Sequence, residues 1–295
     1  MTTVRIAVPR KGRPLEAVLE RFAVCADWER TADDIISTLR YEKSVTKGSQ
    51  RDADGIYSRL DSYSDTASPT RPEYTLLRDD REGKPRRVVF DSVTVPLGDH
   101  EVHLVGREEP FRALRKHEFA LGFDSADLVL EEVVQLRDEP LGSLAAVNDR
   151  IDPLDTDVRV VDGLGDTVYH TLLATPETLG VETDLDRAFL ESYGGELCIS
   201  PRYERLVEAV VGNRALEGIE FAYPGTGVEE EAAIAETGLG VYLTVTGSTA
   251  RDHGLVIGEQ LFPSETVLLE NASEGDAAAD AVAARVTGPD EMPAR

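Results

Sequence analysis

The sequence predicts an α/β protein of two domains, because short buried strands alternate with amphipathic helices along most of the chain. With 295 residues, the chain is long enough for two domains that each bury a core. A strand at residues 4–8 precedes a helix whose apolar side chains recur at i, i+3, i+4 and i+7. These side chains are Leu15, Val18, Leu19 and Phe22. Such alternation predicts largely parallel sheets.

The alternation is clearest at the two ends of the chain and weak in between. Residues 44–84 and 135–193 show little periodicity. Beyond them, strands are expected at residues 197–199, 219–222, 240–245 and 262–269. From Asn271 onward the sequence is mostly Ala, Asp, Gly and Pro, so residues 271–295 are predicted to be a disordered tail.

The composition is strongly acidic, with 56 Asp and Glu against 31 Lys and Arg and a formal net charge of −25. The acidic residues are spread along the chain, which argues against an acidic tail. Nucleic acid is not expected as a partner, because binding phosphates requires clustered Lys and Arg. We interpret the charge as adaptation to a salt-rich cytosol, where screening removes the self-repulsion.

This interpretation predicts that the fold depends on salt. Below roughly molar salt, weaker screening should allow the acidic surface to repel itself and loosen the fold. The measurement is thermal unfolding, followed by circular dichroism, in dilute buffer and in molar KCl. Equal stability in the two solutions would contradict the halophilic interpretation.

The cysteines and the apolar segments indicate a cytoplasmic protein. Cys25 and Cys198 both lie in apolar stretches and are interpreted as small buried side chains, not as a disulfide or a nucleophile. No apolar run approaches the roughly 20 residues of a membrane span. The N-terminus leads directly into a strand, so no signal peptide is expected.

The strongest local motif is the turn at residues 246–249, which follows a predicted strand and precedes a predicted helix. It consists of Thr246, Gly247, Ser248 and Thr249. Backbone N–H groups and hydroxyls in such a turn can hold a phosphate, and a glycine lets the ligand approach the backbone. The alternative is an ordinary helix cap, since Ser and Thr also serve as N-caps.

Two further glycine turns occupy similar positions between a strand and a helix. Residues 225–229 include Gly227 and Glu229. The other turn contains Lys11, Gly12 and Arg13, a cationic group in an acidic chain. Cations at the carboxyl end of a strand are typical of anion sites in α/β proteins, although a solvated basic turn is the alternative.

Four segments resemble, in order, segments of the ATP phosphoribosyltransferase family. The N-terminal V-R-I-A-V-P-R-K-G-R is similar to the opening strand and loop of that family. Residues 119–132, F-A-L-G-F-D-S-A-D-L-V-L-E-E, resemble its D-L-G-I-x-G-x-D-x-L-x-E, and residues 196–203 resemble its R-I-A-T-x-Y-P. Residues 227–269 follow the family through the 246–249 turn to a strand with Ser264 in register. About half the chain is covered, and 44–100 and 135–193 are interpreted as expansions.

The resemblance implies a two-domain fold like that of the type II periplasmic binding proteins, with the ligand cleft between the domains. Domain I would comprise residues 1–134 and 255–270, and domain II residues 135–254. Members of the family transfer a phosphoribosyl group from phosphoribosyl pyrophosphate (PRPP) to N1 of ATP, in the first step of histidine synthesis. Mg²⁺ is bound through the pyrophosphate of PRPP.

The resemblance also implies roles for the three turns. Thr246, Gly247, Ser248 and Thr249 would bind the 5′-phosphate of PRPP. Gly227 and Glu229 would lie near the ribose and the metal. Lys11, Gly12 and Arg13 would face the pyrophosphate or the ATP phosphates. The chain has no counterpart of the histidine-binding domain of the long family members, so a homo-oligomer or a regulatory partner subunit is expected.

Two functions remain open because two family carboxylates are missing. The family has Asp residues that hold the ribose hydroxyls where this chain has Gly238 and Tyr242. The chain is therefore either an enzyme that transfers phosphoribosyl to ATP or a related acceptor, or a non-catalytic protein that senses PRPP or a nucleotide. A dehydrogenase is disfavoured because residues 163–165 lack the third glycine of the dinucleotide motif. A metal hydrolase is disfavoured because the five histidines form no His-Glu-x-x-His.

Overall fold

The structure is a computed structural model that describes residues 2–50, 54–65, 67–78, 86–180 and 184–288. Within them the chain divides into two compact units, each discontinuous in sequence. Unit 1 contains residues 1–124, 157–164 and 266–295, and unit 2 contains residues 125–156 and 165–265. Each unit has its own sheet and its own helices. The prediction of an α/β protein with two domains is confirmed.

The strands are short and are distributed over both units. They are β1 (Thr2–Pro9), β2 (Glu73–Arg78), β3 (Arg86–Leu97), β4 (His100–Arg107), β5 (Leu121–Ser125), β6 (Val158–Gly163), β7 (Val168–Ala174), β8 (Glu196–Cys198), β9 (Glu220–Ala222), β10 (Leu239–Thr244), β11 (Val256–Ser264) and β12 (Thr266–Asn271).

Most helices connect consecutive strands. They are α1 (Gly12–Ala26), α2 (Glu29–Thr46), α3 (Ile56–Tyr63), α4 (Pro110–Arg115), α5 (Ala126–Glu132), α6 (Pro176–Leu179), α7 (Arg187–Ser192), α8 (Glu204–Val211), α9 (Glu230–Thr237), α10 (Ser248–Asp252) and α11 (Ala277–Thr287).

The sheet of unit 1 has the strand order β2-β3-β4-β1-β5-β12-β6. Strand β1 lies at its centre, parallel to β4 and β5, because its side chains are apolar on both faces. Helix α1 packs on this sheet through the predicted side chains, which are all fully buried: Leu15, Val18, Leu19 and Phe22. The strand–turn–helix prediction for the N-terminus is therefore confirmed.

The sheet of unit 2 has the order β11-β7-β10-β8-β9 and carries the 246–249 turn at the end of β10. Strand β10 pairs antiparallel with β7 and parallel with β8. A small cluster of buried residues fixes α9 and α10 relative to this sheet: Leu173, Cys198, Ala233, Ile234, Ala250 and Leu255. Cys198 is buried as expected, and burial raises the pKa of its thiol, which disfavours the nucleophilic thiolate.

The sheets are mixed, so the prediction of largely parallel sheets is wrong. Strand β3 runs antiparallel to both β2 and β4, and β7 runs antiparallel to β10 and β11. The antiparallel pairing of β3 with β4 arises because the two strands form a hairpin around Gly98, whose φ of +61° suits a tight turn. The hairpin follows directly on residues 44–84, whose sequence showed little periodicity.

The predicted domain boundaries are corrected by the pairing of three strands. Residues 262–269, expected as one strand, form the end of β11 and the start of β12, which belong to different sheets. Strand β11 pairs with β7 in unit 2, although residues 255–264 were assigned to domain I. Strand β6 pairs with β12 in unit 1, although it was assigned to domain II.

The C-terminal segment contains an ordered helix where a disordered tail was predicted. Helix α11 begins after Asp276, whose carboxylate accepts hydrogen bonds from the backbone N–H groups of Ala278 and Ala279. Its buried side chains, Ala279, Val282, Ala283 and Val286, join the core of unit 1. Their spacing is i, i+3, i+4, i+7, but small side chains made the pattern easy to miss. The last seven residues, 289–295, lie outside the described part of the chain.

Among the helices that the structure describes, not one has the length and apolar character needed to cross a bilayer.

Candidate functional site

The 246–249 turn follows β10 and leads into α10, as the sequence predicted. Thr246, Ser248 and Thr249 are exposed. The Thr246 and Ser248 hydroxyls lie 3.2 Å apart, and Arg251 donates a hydrogen bond of 2.6 Å to the backbone carbonyl of Thr246. The Arg251 guanidinium thus stabilises the backbone of the turn, while the hydroxyls of Thr246, Ser248 and Thr249 stay accessible.

Gly247 is required by the backbone of this turn. Its φ is +66°, in the left-handed region that favours glycine, where it serves as the N-cap of α10. A Cβ at this position would lie 2.2 Å from Cδ1 of Ile257 on β11. The local backbone and packing therefore explain why this position is a glycine. The absence of a side chain also leaves the backbone open to a ligand.

A pocket of about 240 Å³ lies against the turn. It is lined by residues 243–250 and by Glu231 from the first turn of α9. No sequence motif marks Glu231, which among the glutamates of α9 is the one that lines this pocket. A carboxylate beside hydroxyls can accept hydrogen bonds from a sugar diol or bind a divalent cation.

The second predicted turn contacts the C-terminal end of α10 through Glu229. Gly227 has a φ of +81°, and the adjacent N–H of Val228 donates to the carbonyl of Gly225 at 3.0 Å, so Gly227 serves the turn itself. Glu229 is the N-cap residue of α9, and its carboxylate lies 3.5 Å from Nε2 of His253, directly after α10. The Glu229 side chain is 74% exposed, which leaves the carboxylate accessible.

The cationic turn at Lys11, Gly12 and Arg13 belongs to unit 1, between β1 and α1. Lys11 is the N-cap residue of α1, and Gly12 has a φ of +80° that glycine tolerates. The Lys11 ammonium lies 3.7 Å from the Glu108 carboxylate, with both side chains nearly half exposed. An ion pair of this kind is weak and can exchange for an anionic ligand.

Gly238 and Tyr242 stand where the family that the chain resembles has carboxylates. The packing around each position explains the residue found there. Gly238 ends α9 with a φ of +102°, and a Cβ there would lie 2.4 Å from Oγ1 of Thr178. Tyr242 packs against the buried cluster of unit 2. Burial, with a hydrogen bond to Glu230, raises the pKa of Tyr242, so the phenol stays protonated.

A buried polar cluster in unit 2 was not anticipated. Asp127 accepts a hydrogen bond of 2.9 Å from Ser264, and its other oxygen lies 3.1 Å from Nε2 of His170. The ring of His170 is fully buried and meets Tyr203 edge-on at 4.9 Å. The cluster ties α5, β7 and β11 together, which is a structural role.

The part of the chain that the structure describes holds no group of three His, Cys, Asp or Glu side chains placed to bind a metal ion. Glu231 lines the pocket at the 246–249 turn, and Glu229 is the N-cap residue of the same helix, α9. Mg²⁺ is commonly held by one or two carboxylates together with substrate phosphates. These residues therefore fit a metal that arrives with a pyrophosphate.

Comparison with known protein families gives a match over almost the whole chain. The model of a family described as halobacterial ATP phosphoribosyltransferase matches residues 1–294. The match includes 44–100 and 135–193, which the resemblance of short segments had left as expansions. No curated protein sequence matches the chain significantly.

The solved structures that are similar to the chain have low sequence identity and low TM-scores. The ATP phosphoribosyl transferase (HisG:HisZ) complex from Thermotoga maritima is 14% identical, with 96% of each chain covered and a TM-score of 0.41. The regulatory domain of MetR, a LysR family regulator from N. meningitidis, is 10% identical. It covers 97% of this chain and 92% of its own, with a TM-score of 0.35.

Proposed function

Because the chain belongs to the family of halobacterial ATP phosphoribosyltransferases, we propose that it binds PRPP at the 246–249 turn and transfers the phosphoribosyl group to N1 of ATP. The family match over residues 1–294 is the observation that carries the proposal. The site contributes a left-handed glycine, exposed hydroxyls and a pocket of about 240 Å³ at the end of a strand.

In this proposal the 246–249 turn holds the 5′-phosphate of PRPP. Thr246, Ser248 and Thr249 offer hydroxyl donors, and Gly247 leaves room for the phosphate to approach the backbone. Arg251 keeps the turn in place through the Thr246 carbonyl. A turn that is ordered before binding loses less conformational entropy when the ligand arrives.

The ribose hydroxyls are assigned to Glu231, the carboxylate that lines the same pocket. It would replace the acceptors that the family has at the positions of Gly238 and Tyr242. Glu229 and Glu231 would hold Mg²⁺ together with the pyrophosphate, and the ion would neutralise charge on the leaving group when bound.

Bond formation between adenine N1 and ribose C1 accompanies cleavage of the C1–O bond to pyrophosphate, which leaves with the electron pair. Lys11 and Arg13 are proposed to face the phosphates and stabilise their negative charge. The charge of the chain and its family suggest a halophilic cytoplasmic enzyme. We also propose that it works as a homo-oligomer or with a regulatory subunit, which light scattering of the purified protein would test.

The test is pyrophosphate release from PRPP in the presence of ATP and Mg²⁺, in molar KCl. Release well above that of a Gly247→Val control is expected. Measurable PRPP binding without release, with ATP or with any other purine or pyridine acceptor, would exclude the enzyme and leave a non-catalytic sensor of PRPP or a nucleotide.

The sensor is kept as a second candidate because Tyr242 packs in the cluster where the family has a carboxylate. Tyr242→Asp separates the two. In an enzyme that already holds ribose through Glu231, the substitution should leave PRPP affinity unchanged or weaken it by disturbing packing. In a sensor that lost this acceptor, it should tighten PRPP by about 1 kcal/mol, for one regained hydrogen bond. Calorimetric titration with PRPP measures the difference.

A further inference from the structure

Unit 1 contains a cavity of about 340 Å³ that the 246–249 site does not include. It is bounded by the start of α1, the C-terminal half of α2 and the start of β3. Its volume is within the range of small-molecule sites. We refer to it as the lysine pocket, because Lys11, Lys43 and Lys47 line it together with Arg40 and Arg87.

Most of the lysines of this chain line this one pocket. The whole chain has five lysines, at positions 11, 43, 47, 84 and 116, and three of them line this one cavity. The formal net charge of the chain is −25. A local excess of cations in so acidic a protein creates a focused positive field that attracts anions.

The two glutamates of the pocket do not neutralise Lys43 and Lys47, because each glutamate is paired with an arginine. Glu16 pairs with Arg40 at 2.6 Å. Glu42 is buried and accepts two hydrogen bonds from Arg59, at 2.7 and 3.0 Å, and one from the Tyr63 hydroxyl at 2.9 Å. Each glutamate is thus balanced by its own guanidinium, and neither of them forms an ion pair with Lys43 or Lys47.

Lys43 and Lys47 are the strongest evidence for an anion site in this pocket. Lys43 lies in the last turn of α2 and Lys47, four residues further on, is its C-cap residue, so both lie on the same face of the helix, and both are exposed. Over the described ranges, no carboxylate forms an ion pair with either ammonium. Like charges at this spacing destabilise a helix by a few tenths of a kcal/mol. An anion between them would relieve that repulsion.

We propose that the lysine pocket binds a chain of phosphates, a triphosphate group, through Lys43 and Lys47 at the C-terminal end of α2, with Lys11 and Arg87 completing the site. A compact ammonium suits phosphate as a point charge, and several cations around one cavity suit a multiply charged group better than a single phosphate. The group can come from ATP or from inorganic triphosphate. The first source rests on the proposed function, whereas the binding site itself does not.

The experiment is calorimetric titration of the full chain in 1 M KCl with four probes: inorganic triphosphate, ATP, AMP and PRPP. Triphosphate is expected to bind, and AMP to bind more weakly. Lys43→Gln and Lys47→Gln remove one charge each and keep helix propensity nearly constant. The double variant should bind triphosphate at least about tenfold more weakly, and Lys43→Arg with Lys47→Arg should restore most of the affinity. Lys116→Gln, an exposed lysine at the end of α4, is the matched control and should change nothing.

The outcomes distinguish ATP from inorganic triphosphate as the ligand. They also distinguish the lysine pocket from the proposed PRPP site at the 246–249 turn. Loss of both triphosphate and ATP in the double glutamine variant supports a site for the nucleotide triphosphate. Loss of triphosphate alone supports a site separate from the substrate. Unchanged triphosphate binding in the double variant, or none in the original protein, overturns the proposal. PRPP binding that depends on Gly247 is measured in parallel, so a failure at the 246–249 turn leaves the lysine pocket untouched.

Discussion

Replacing Gly247 with valine is expected to abolish PRPP binding while the protein stays folded. The residue has a φ of +66°, and a Cβ would lie 2.2 Å from Cδ1 of Ile257, so either the turn or the Ile257 side chain must shift to accept a side chain. Left-handed backbone costs a branched residue about 1–2 kcal/mol, which reduces stability without removing the fold. In the original protein, PRPP at 100 times its dissociation constant should stabilise the fold by about 2.7 kcal/mol. The variant should show no such shift in thermal unfolding.

Gly254→Val is the matched control for this experiment. Gly254 lies just beyond the other end of α10 with a φ of +74°, and no atom lies within 4 Å of its Cβ position. The two substitutions therefore impose a similar backbone cost, but only the one at Gly247 alters the turn. Gly254→Val should lose stability and keep the PRPP-induced shift. Equal PRPP binding by Gly247→Val and the original protein would show that the turn is an ordinary helix cap.

Placing an aspartate at Val282 is expected to destabilise the fold by about 4 kcal/mol, because an unpaired charge would enter the core. Val282 lies on α11 and is completely buried in the core of unit 1. A loss of this size is a large fraction of the stability of a typical domain. Urea unfolding in molar KCl measures it as a lower midpoint.

Ala281→Asp gives the comparison for this second prediction. Ala281 is the neighbouring residue on α11, and it is exposed. The same carboxylate in water should cost less than about 1 kcal/mol, chiefly through helix propensity. The pair thus tests the packing of α11 directly. Similar unfolding midpoints for Val282→Asp and Ala281→Asp would mean that the segment behaves as the disordered tail expected from composition.

The two experiments test ligand binding and core packing separately. The Gly247 pair tests whether a strained turn binds a ligand, and the α11 pair tests whether the C-terminal helix contributes to the core. A protein that passes the second test and fails the first would keep its fold and require another site for PRPP. The lysine pocket is independent of both, because its lysines are exposed and lie on other elements.

The sequence by itself determined the features that depend on neighbouring residues. The strand, turn and helix at the N-terminus follow from the apolar spacing of α1, and the position of Gly247 follows from its place between a strand and a helix. The acidic surface is a matter of composition. These features need few distant contacts, and so local patterns are enough to predict them.

Tertiary structure alone decided which distant residues meet. Glu229, Glu230 and Glu231 are consecutive, and only the orientation of α9 against β10 selects Glu231 for the pocket at the turn. The break between β11 and β12 at Glu265 depends on which sheet offers each strand a partner, since both strands have buried apolar side chains. Lys11 is separated by more than 30 residues from Lys43 and Lys47, and only the packing of α1 against α2 brings them around one cavity. Long-range pairing is set by the burial of whole faces, which no short segment of sequence encodes.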